Sequence, residues 1–356
     1  MARGRPRCDV DATRRSVTLA VTMPRRVRTL LLTLLVVSVL AVMALVLFTT
    51  AQRPTKSPLP NPNGYDDFVS AGAAVDGSVG DYPALDRAAL GALVSTNAEA
   101  LRLLRLGLTR RCTLPIDLSV TNDMLVISQL GGMKRLAQLL AAEGQLRQLE
   151  NRTADAAGSY LDIIRLGNEI SRGGFLISRL VGVSCESIGC SRLAKVGPEL
   201  EARDARIIVT ELEKLDANHV TWAEVERNER RFTRSHLNPF NLIPWLMAWR
   251  QTHQVMERAE TKHKLAVAHE RLLAGELALR CYQSENMGGP VRLDDLLTNY
   301  LSKVPEDPFT GRPMIYHTRG TRWMFYSVGV DRVDDGGRPA GPEVNTKGDL
   351  FFDSPW

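Results

Sequence analysis

Apolar positions along this chain fall into three regimes. From Leu30 to Phe48 they are continuous: nineteen residues carry no charge and only Thr33 and Ser38 interrupt them. Wound as a helix, the stretch is roughly 28 Å long, close to the thickness of a bilayer's hydrocarbon core. It predicts a membrane anchor over residues 28–49. From 84 to 240 the apolar positions recur every three or four residues instead. Leu101, Leu104 and Leu108 form one stripe; Leu136, Leu139, Leu140 and Leu146 a second; Leu161, Ile164 and Ile170 a third; Leu200, Ile207, Ile208, Leu212 and Leu215 a fourth. Breaks fall at Thr113 to Pro115, at Gly173-Gly174 and at Gly197-Pro198, where Pro198 suits a first helical turn. Long helices with such short joints pack antiparallel to their neighbours, so a stack of helical hairpins is expected, without a strict sequence period.

The third regime begins after HLNPFNLIPWLMAWR, where Phe240, Trp245 and Trp249 sit among Leu242, Ile243, Leu246 and Met247. Apolar neighbours on every face read this segment as a plug between the helical stack and the C-terminal region, rather than as an interfacial helix. A long helix is expected from Pro244 to about Gln283, ended by Gly288-Gly289-Pro290, then a short helix from Leu293 to Leu301. Period-two segments come next: Gly311 to His317, Trp323 to Ser327 and Leu350 to Phe352 predict three short strands. Residues 50–83 are rich in Pro, Gly, Asn and Ser and read as a mobile spacer, with Tyr65 and Phe68 as the side chains able to dock on the folded part. The expected fold class is mainly α: an anchor helix, a helical-hairpin domain over 84–240, and a small α+β module over 241–356.

Charge fixes the orientation. Eight arginines precede the apolar stretch (Arg3, Arg5, Arg7, Arg14, Arg15, Arg25, Arg26 and Arg28), whereas only Arg53 and Lys56 come closely after it, so the basic tail, residues 1–27, is expected in the cytoplasm. The bulk of the chain then lies on the far side of the inner membrane. A cleaved signal peptide is the competing reading; its apolar core would be shorter, although Thr49-Thr50-Ala51 could serve as a cleavage site. A start at Met23 leaves both readings intact. Residues 1–53 carry a net charge of +7 and the remainder −2, so the outer part shows no nucleic-acid footprint and the basic tail faces anionic headgroups.

Five cysteines are present, with Cys8 on the cytoplasmic side. On a continuous helix Cys185 and Cys190 point about 140° apart and cannot pair. Cys185 falls in step with Ile177, Val181 and Ile188, and Cys281 with Leu273 and Leu277, which suits core positions; a long-range disulfide is the alternative on the oxidising side. The chain has no Gly-x-Ser-x-Gly, Ser-x-x-Lys, Gly-x-x-x-x-Gly-Lys or His-Glu-x-x-His motif. His263 and His269 lie about 120° apart on the long helix, too far round to share a metal. Glu224, Glu226 and Glu229 with Arg227, Arg230 and Arg231 read as an exposed helix face.

The C-terminal segments AHERLLAGELALRCYQSENMGGP, LDDLLTNYLSKVPEDPFTGRPMIYH, RWMFYSVGVDRVDDGG and GDLFF together resemble the globular domain of type II secretion pseudopilins, the G-type major pseudopilin most of all. Pro305 to Pro308 match the family's Pro-x-Asp-Pro turn and Tyr326 to Asp331 its Tyr-Ser-x-Gly-x-Asp loop. The anchor lacks the family's peptidase site and its Glu five residues into the apolar helix, and a long helical region separates anchor from module, which argues against assembly into a pilus. The resemblance implies calcium held by Asp331 and Asp349. Asp334 and Asp335, beside Gly336-Gly337, add oxygens suited to a hard cation, although such turns also occur as plain solvated loops. Arg332 stands where the family usually has Gly. These readings together lead to an expected role as a non-enzymatic, membrane-anchored interaction or structural protein with a protein partner in the envelope. The alternative is an envelope hydrolase whose groups converge only in three dimensions.

Overall fold

In the computed structural model, residues 25–51, 58–115, 123–236, 242–286, 288–319, 322–341 and 347–356 are described. The chain divides into two units, residues 1–57 and 58–356.

Helix α1 spans Arg25–Ala51. Its window Arg26–Met43 has a mean hydropathy of 2.0 and none of it is buried within the protein. Leu30, Leu34 and Val37 are each about 60% exposed. The hydroxyls are satisfied within the helix: Thr33 Oγ1 donates to the Thr29 carbonyl at 3.0 Å and Ser38 Oγ to that of Leu35 at 2.8 Å. From Leu30 to Met43 no polar side-chain group needs water, which is the condition for a helix surrounded by lipid.

The second unit carries the remaining helices: α2 (Gly64–Ala73), α3 (Arg87–Thr96), α4 (Ala98–Leu108), α5 (Asp123–Leu149), α6 (Thr153–Ser171), α7 (Leu176–Val196), α8 (Ala202–Ala217), α9 (Trp222–His236) and α10 (Leu242–Asn286). Strands β1 (Ile315–Arg319) and β2 (Arg322–Tyr326) pair antiparallel, with Ile315 opposite Tyr326. The stretch expected as a mobile spacer is thus partly helical. Asn63 caps α2 through its side chain, Asp66 and Asp67 favour its first turn, and Tyr65 and Phe68 are buried. Gly107 on α4 receives the Phe68 ring, where a Cβ would come within 2.5 Å of it.

Helices α6 and α7 form the central hairpin. Gly167 meets Gly182, and Gly189 meets Tyr160 and Ile164, so the two run antiparallel at a separation only glycine permits: a Cβ on Gly182 would lie 2.4 Å from the Gly167 carbonyl oxygen. The joint at Gly173-Gly174 is where the sequence breaks, and Gly173 takes a φ of +68° there. Helix α10 lies on α7 and α8, and β2 packs on α10, with the Phe325 ring seated over Gly275.

The C-terminal part differs in detail from the expected one. The helix expected over 293–301 is a single 3₁₀ turn, Leu293–Leu296. The third strand reduces to one bridge, Ser327 to Leu350, because the chain turns away again at Phe351–Ser354. Buried Asp307 joins two motif segments: one oxygen accepts from the Phe309 N–H at 2.8 Å and the other from the Val328 N–H at 2.9 Å. Cys112, Cys185, Cys190 and Cys281 are buried free thiols, so the core reading of Cys185 and Cys281 holds and no disulfide forms among them. The side chains of Asn238 to Trp249 and the basic tail before Arg25 lie outside the described residues.

Candidate functional site

Hydrophobic helices bury charge only where partners compensate it. At the centre of the α6, α7 and α10 packing lies such a cluster. Arg179 and Glu186 are seven residues apart on α7, two turns, and so share a face; His263 and Glu270 are seven apart on α10 and share another. His219 enters from the turn between α8 and α9, whose Val220 N–H donates to Asn168 Oδ1 on α6 at 3.3 Å. Arg179 is 1% exposed and Glu186 fully buried.

Arg179 spends its donors entirely inside the protein. Nη1 and Nη2 donate to the two Glu186 oxygens at 2.6 and 2.7 Å, Nη1 also to Ser171 Oγ at 3.3 Å, Nε to His263 Nδ1 at 3.0 Å, and Nη2 lies 3.3 Å from His219 Nε2. These contacts assign the tautomers. His263 Nδ1 accepts and is therefore unprotonated; His219 Nδ1 faces the Val220 carbonyl at 3.0 Å and carries the proton, which leaves Nε2 with its lone pair toward the cluster. Burial, reinforced by the Arg179 charge, pushes His263 down to about 2 and His219 down to about 4. Glu270 moves the opposite way: burial, with the Glu186 charge nearby, holds its carboxyl well above the usual range. One oxygen, Glu270 Oε1, is buried without a hydrogen-bond partner. Within the cluster, the Arg179 guanidinium and the Glu186 carboxylate are paired through two hydrogen bonds, with the two imidazoles and Glu270 packed around them.

Glu270 also borders a cleft of about 20 Å³ shared with Asp216, Arg271, Lys303 and Pro305. That is room for about one water molecule. Asp216 accepts from Arg271 Nε at 2.7 Å and from Lys303 Nζ at 2.9 Å. Burial opposes ionisation of Asp216, but these two cations outweigh it and hold the carboxyl below its usual range. Glu213 is likewise engaged, accepting from Ser302 N and Oγ. Carboxylates therefore converge here, and one has a raised pKa, but two are tied up and the space admits no substrate-sized molecule.

The acidic loop is built differently. Asp349 is fully buried, and its oxygens accept from the Gly337 N–H at 2.7 Å and the Asp335 N–H at 3.4 Å. Asp334 Oδ1 accepts from the Tyr326 hydroxyl at 3.0 Å and the Gly336 N–H at 2.9 Å, while Asp331 Oδ1 accepts from the Val333 N–H at 3.1 Å. Burial and the charges of Asp334 and Asp335 raise Asp349, against the two amides that lower it. Among the described residues, the group of three side chains that brings its ligand atoms within 4.8 Å of one another is not in this loop; it is Glu186, His219 and Glu270.

Sequence reasoning missed that group because its members come from two helices and a turn. The signal present was the pair of polar residues at a spacing of seven on each of two otherwise apolar faces. His263 and His269 do go to different partners, as their spacing implied: His263 Nδ1 accepts from Arg179, whereas the His269 ring stacks on Trp356 with centroids 4.4 Å apart. The charge run on α9 is only partly a solvent face. Glu229 Oε2 accepts from the Leu176 N–H at 2.9 Å, Glu224 Oε1 from the Gly173 N–H at 3.3 Å, and Asn228 Nδ2 donates to the Gly174 carbonyl at 2.9 Å, so this face caps the α6–α7 joint. Glu226 and Arg230 pair at the surface.

No protein-family model, no curated protein and no solved structure matches this chain.

Proposed function

We propose that this chain is a single-pass protein of the inner membrane, with its N-terminus cytoplasmic and its helical body outside the cytoplasm, acting as an anchored interaction or structural component of the envelope rather than as an enzyme. The observation that carries the proposal is α1: an 18-residue window of mean hydropathy 2.0, wholly unburied by the protein, with arginines at its N-terminal end. The large apolar side chains exposed along residues 26–43 need another apolar medium to cover them. The interaction role rests on the described body, in which the carboxylate cleft beside Glu270 holds about one water and the buried Arg179 and Glu186 pair with each other.

The pseudopilin-like reading of the C-terminal module belongs to this proposal. Two observations support it. Asp307 of the Pro-x-Asp-Pro turn hydrogen-bonds the backbone of the Tyr-Ser-x-Gly-x-Asp loop, so the two motif segments depend on each other. Arg332, at the family's glycine position, has a φ of +61°, the left-handed region that favours glycine. A calcium ion near Asp331, Asp334, Asp335 and Asp349 is part of the same reading; burial raises Asp349 first, and the charges of Asp334 and Asp335, which add to that, are what a cation would relieve.

Anchoring is tested by fractionation. The full chain is expected in the membrane pellet after alkaline carbonate extraction, and Leu35→Arg with Val39→Arg is expected to release it. A wild-type chain recovered in the soluble fraction would overturn the proposal.

A further inference from the structure

From the side chains at the centre of the helical body we infer a transition-metal site: a zinc-class dication held by Glu186, His219 and Glu270. Three observations converge. The ligand atoms of these residues lie within 4.8 Å of one another, with His219 Nε2 3.8 Å from Glu186 Oε1. Glu270, 2% exposed, contributes to this group and has an oxygen with no hydrogen-bond partner, an arrangement that normally costs stability unless something binds there. His219 is set as a ligand: Nδ1–H is held by the Val220 carbonyl, so Nε2 presents its lone pair, the orientation that metal-bound imidazoles receive from an outer partner.

The donor set selects the ion. One imidazole nitrogen and two carboxylate oxygens give three protein ligands, a count that leaves the fourth position of a tetrahedral ion to a water. Arg179 competes for two of the three ligands, because Nη1 and Nη2 hold both Glu186 oxygens at 2.6 and 2.7 Å and Nη2 lies 3.3 Å from His219 Nε2, so an entering ion must displace the guanidinium from both. Only an ion with high affinity for imidazole gains enough to do so. That favours zinc and its neighbours over calcium or magnesium, which prefer six or more oxygens.

The test uses the full chain in detergent, stripped with chelator and dialysed against zinc, with bound metal counted by mass spectrometry and cobalt(II) used as a spectroscopic probe. One equivalent of zinc is expected, unaffected by millimolar calcium or magnesium. Glu270→Gln and His219→Gln are each expected to weaken binding at least tenfold, whereas Glu226→Gln, in the surface pair with Arg230, leaves it unchanged. Cobalt(II) is expected to give a visible ligand-field band without a thiolate charge-transfer band; this measurement on the wild type decides the matter if either variant fails to fold. No bound zinc, undiminished binding by folded Glu270→Gln and His219→Gln, or a thiolate band would each overturn the inference. None of these outcomes bears on the anchor, so the site and the membrane proposal stand or fall separately.

Discussion

Removing the guanidinium of Arg179 should be the most damaging conservative change in the body. Arg179→Met keeps the length and apolar stem of the side chain but leaves Glu186, fully buried, without its two hydrogen bonds of 2.6 and 2.7 Å. Breaking a buried pair by deleting one partner costs about 3–5 kcal/mol, because the remaining charge is uncompensated. The variant also strips the donor from His263 Nδ1 at 3.0 Å. At about 2 °C per kcal/mol for a unit of this size, the melting temperature should fall by roughly 8 °C. Adding Glu186→Met removes the stranded charge and should return about half of that loss, a non-additivity that a double-mutant cycle reads directly. Arg102→Met, which breaks the exposed pair with Glu99, should leave the melting curve in place. The assay is thermal unfolding measured by circular dichroism at pH 7 for the four variants and the wild type. If Arg179→Met melts within about 2 °C of wild type, or the double variant loses as much as the two single ones together, the cluster is not the organising feature of the core.

The Asp216 pair gives a prediction in pH. Its folded carboxyl lies below its ordinary value, so the stabilisation is fully present above that value and is lost as pH falls through the folded one; Asp216→Asn should cost about 2 kcal/mol at pH 7, and the gap from wild type should close in strong acid. Equal destabilisation at both pH values would mean that the substitution acts through packing rather than charge. In the C-terminal loop, calcium should raise the melting temperature and chelator lower it, with Asp331→Ala abolishing the difference; a melting curve indifferent to both assigns the loop to its backbone hydrogen bonds alone.

Periodicity made the helices legible because it reports local geometry. The stripe at Leu136, Leu139 and Leu140 is buried on α5, that at Leu161, Ile164 and Ile170 on α6, and the glycine pair at 173–174 turns the chain between α6 and α7. Helix α2 was hidden by its composition: surrounding prolines and glycines suggested a spacer, while Asn63 and two aromatics were enough to start and dock a short helix. The third strand was overread because the pairing stops at Leu350: it exchanges both backbone hydrogen bonds with Ser327, and the chain turns away at Phe351–Ser354. The buried cluster was illegible for another reason. A polar residue on an apolar face is explained only by its partner, and the partners of Arg179 lie 40 residues away at His219 and 84 away at His263. The spacing of seven was visible; which faces meet was a property of the packing.

The central claim, an anchor that places the helical body outside the cytoplasm, is tested most directly by fusing reporters after Trp356 of the full chain. A reporter active only outside the cytoplasm should be active, and one active only in the cytoplasm should be silent. The opposite pattern would show that the arginines before α1 do not hold the N-terminus inside, and the account of this protein as an envelope component would be wrong.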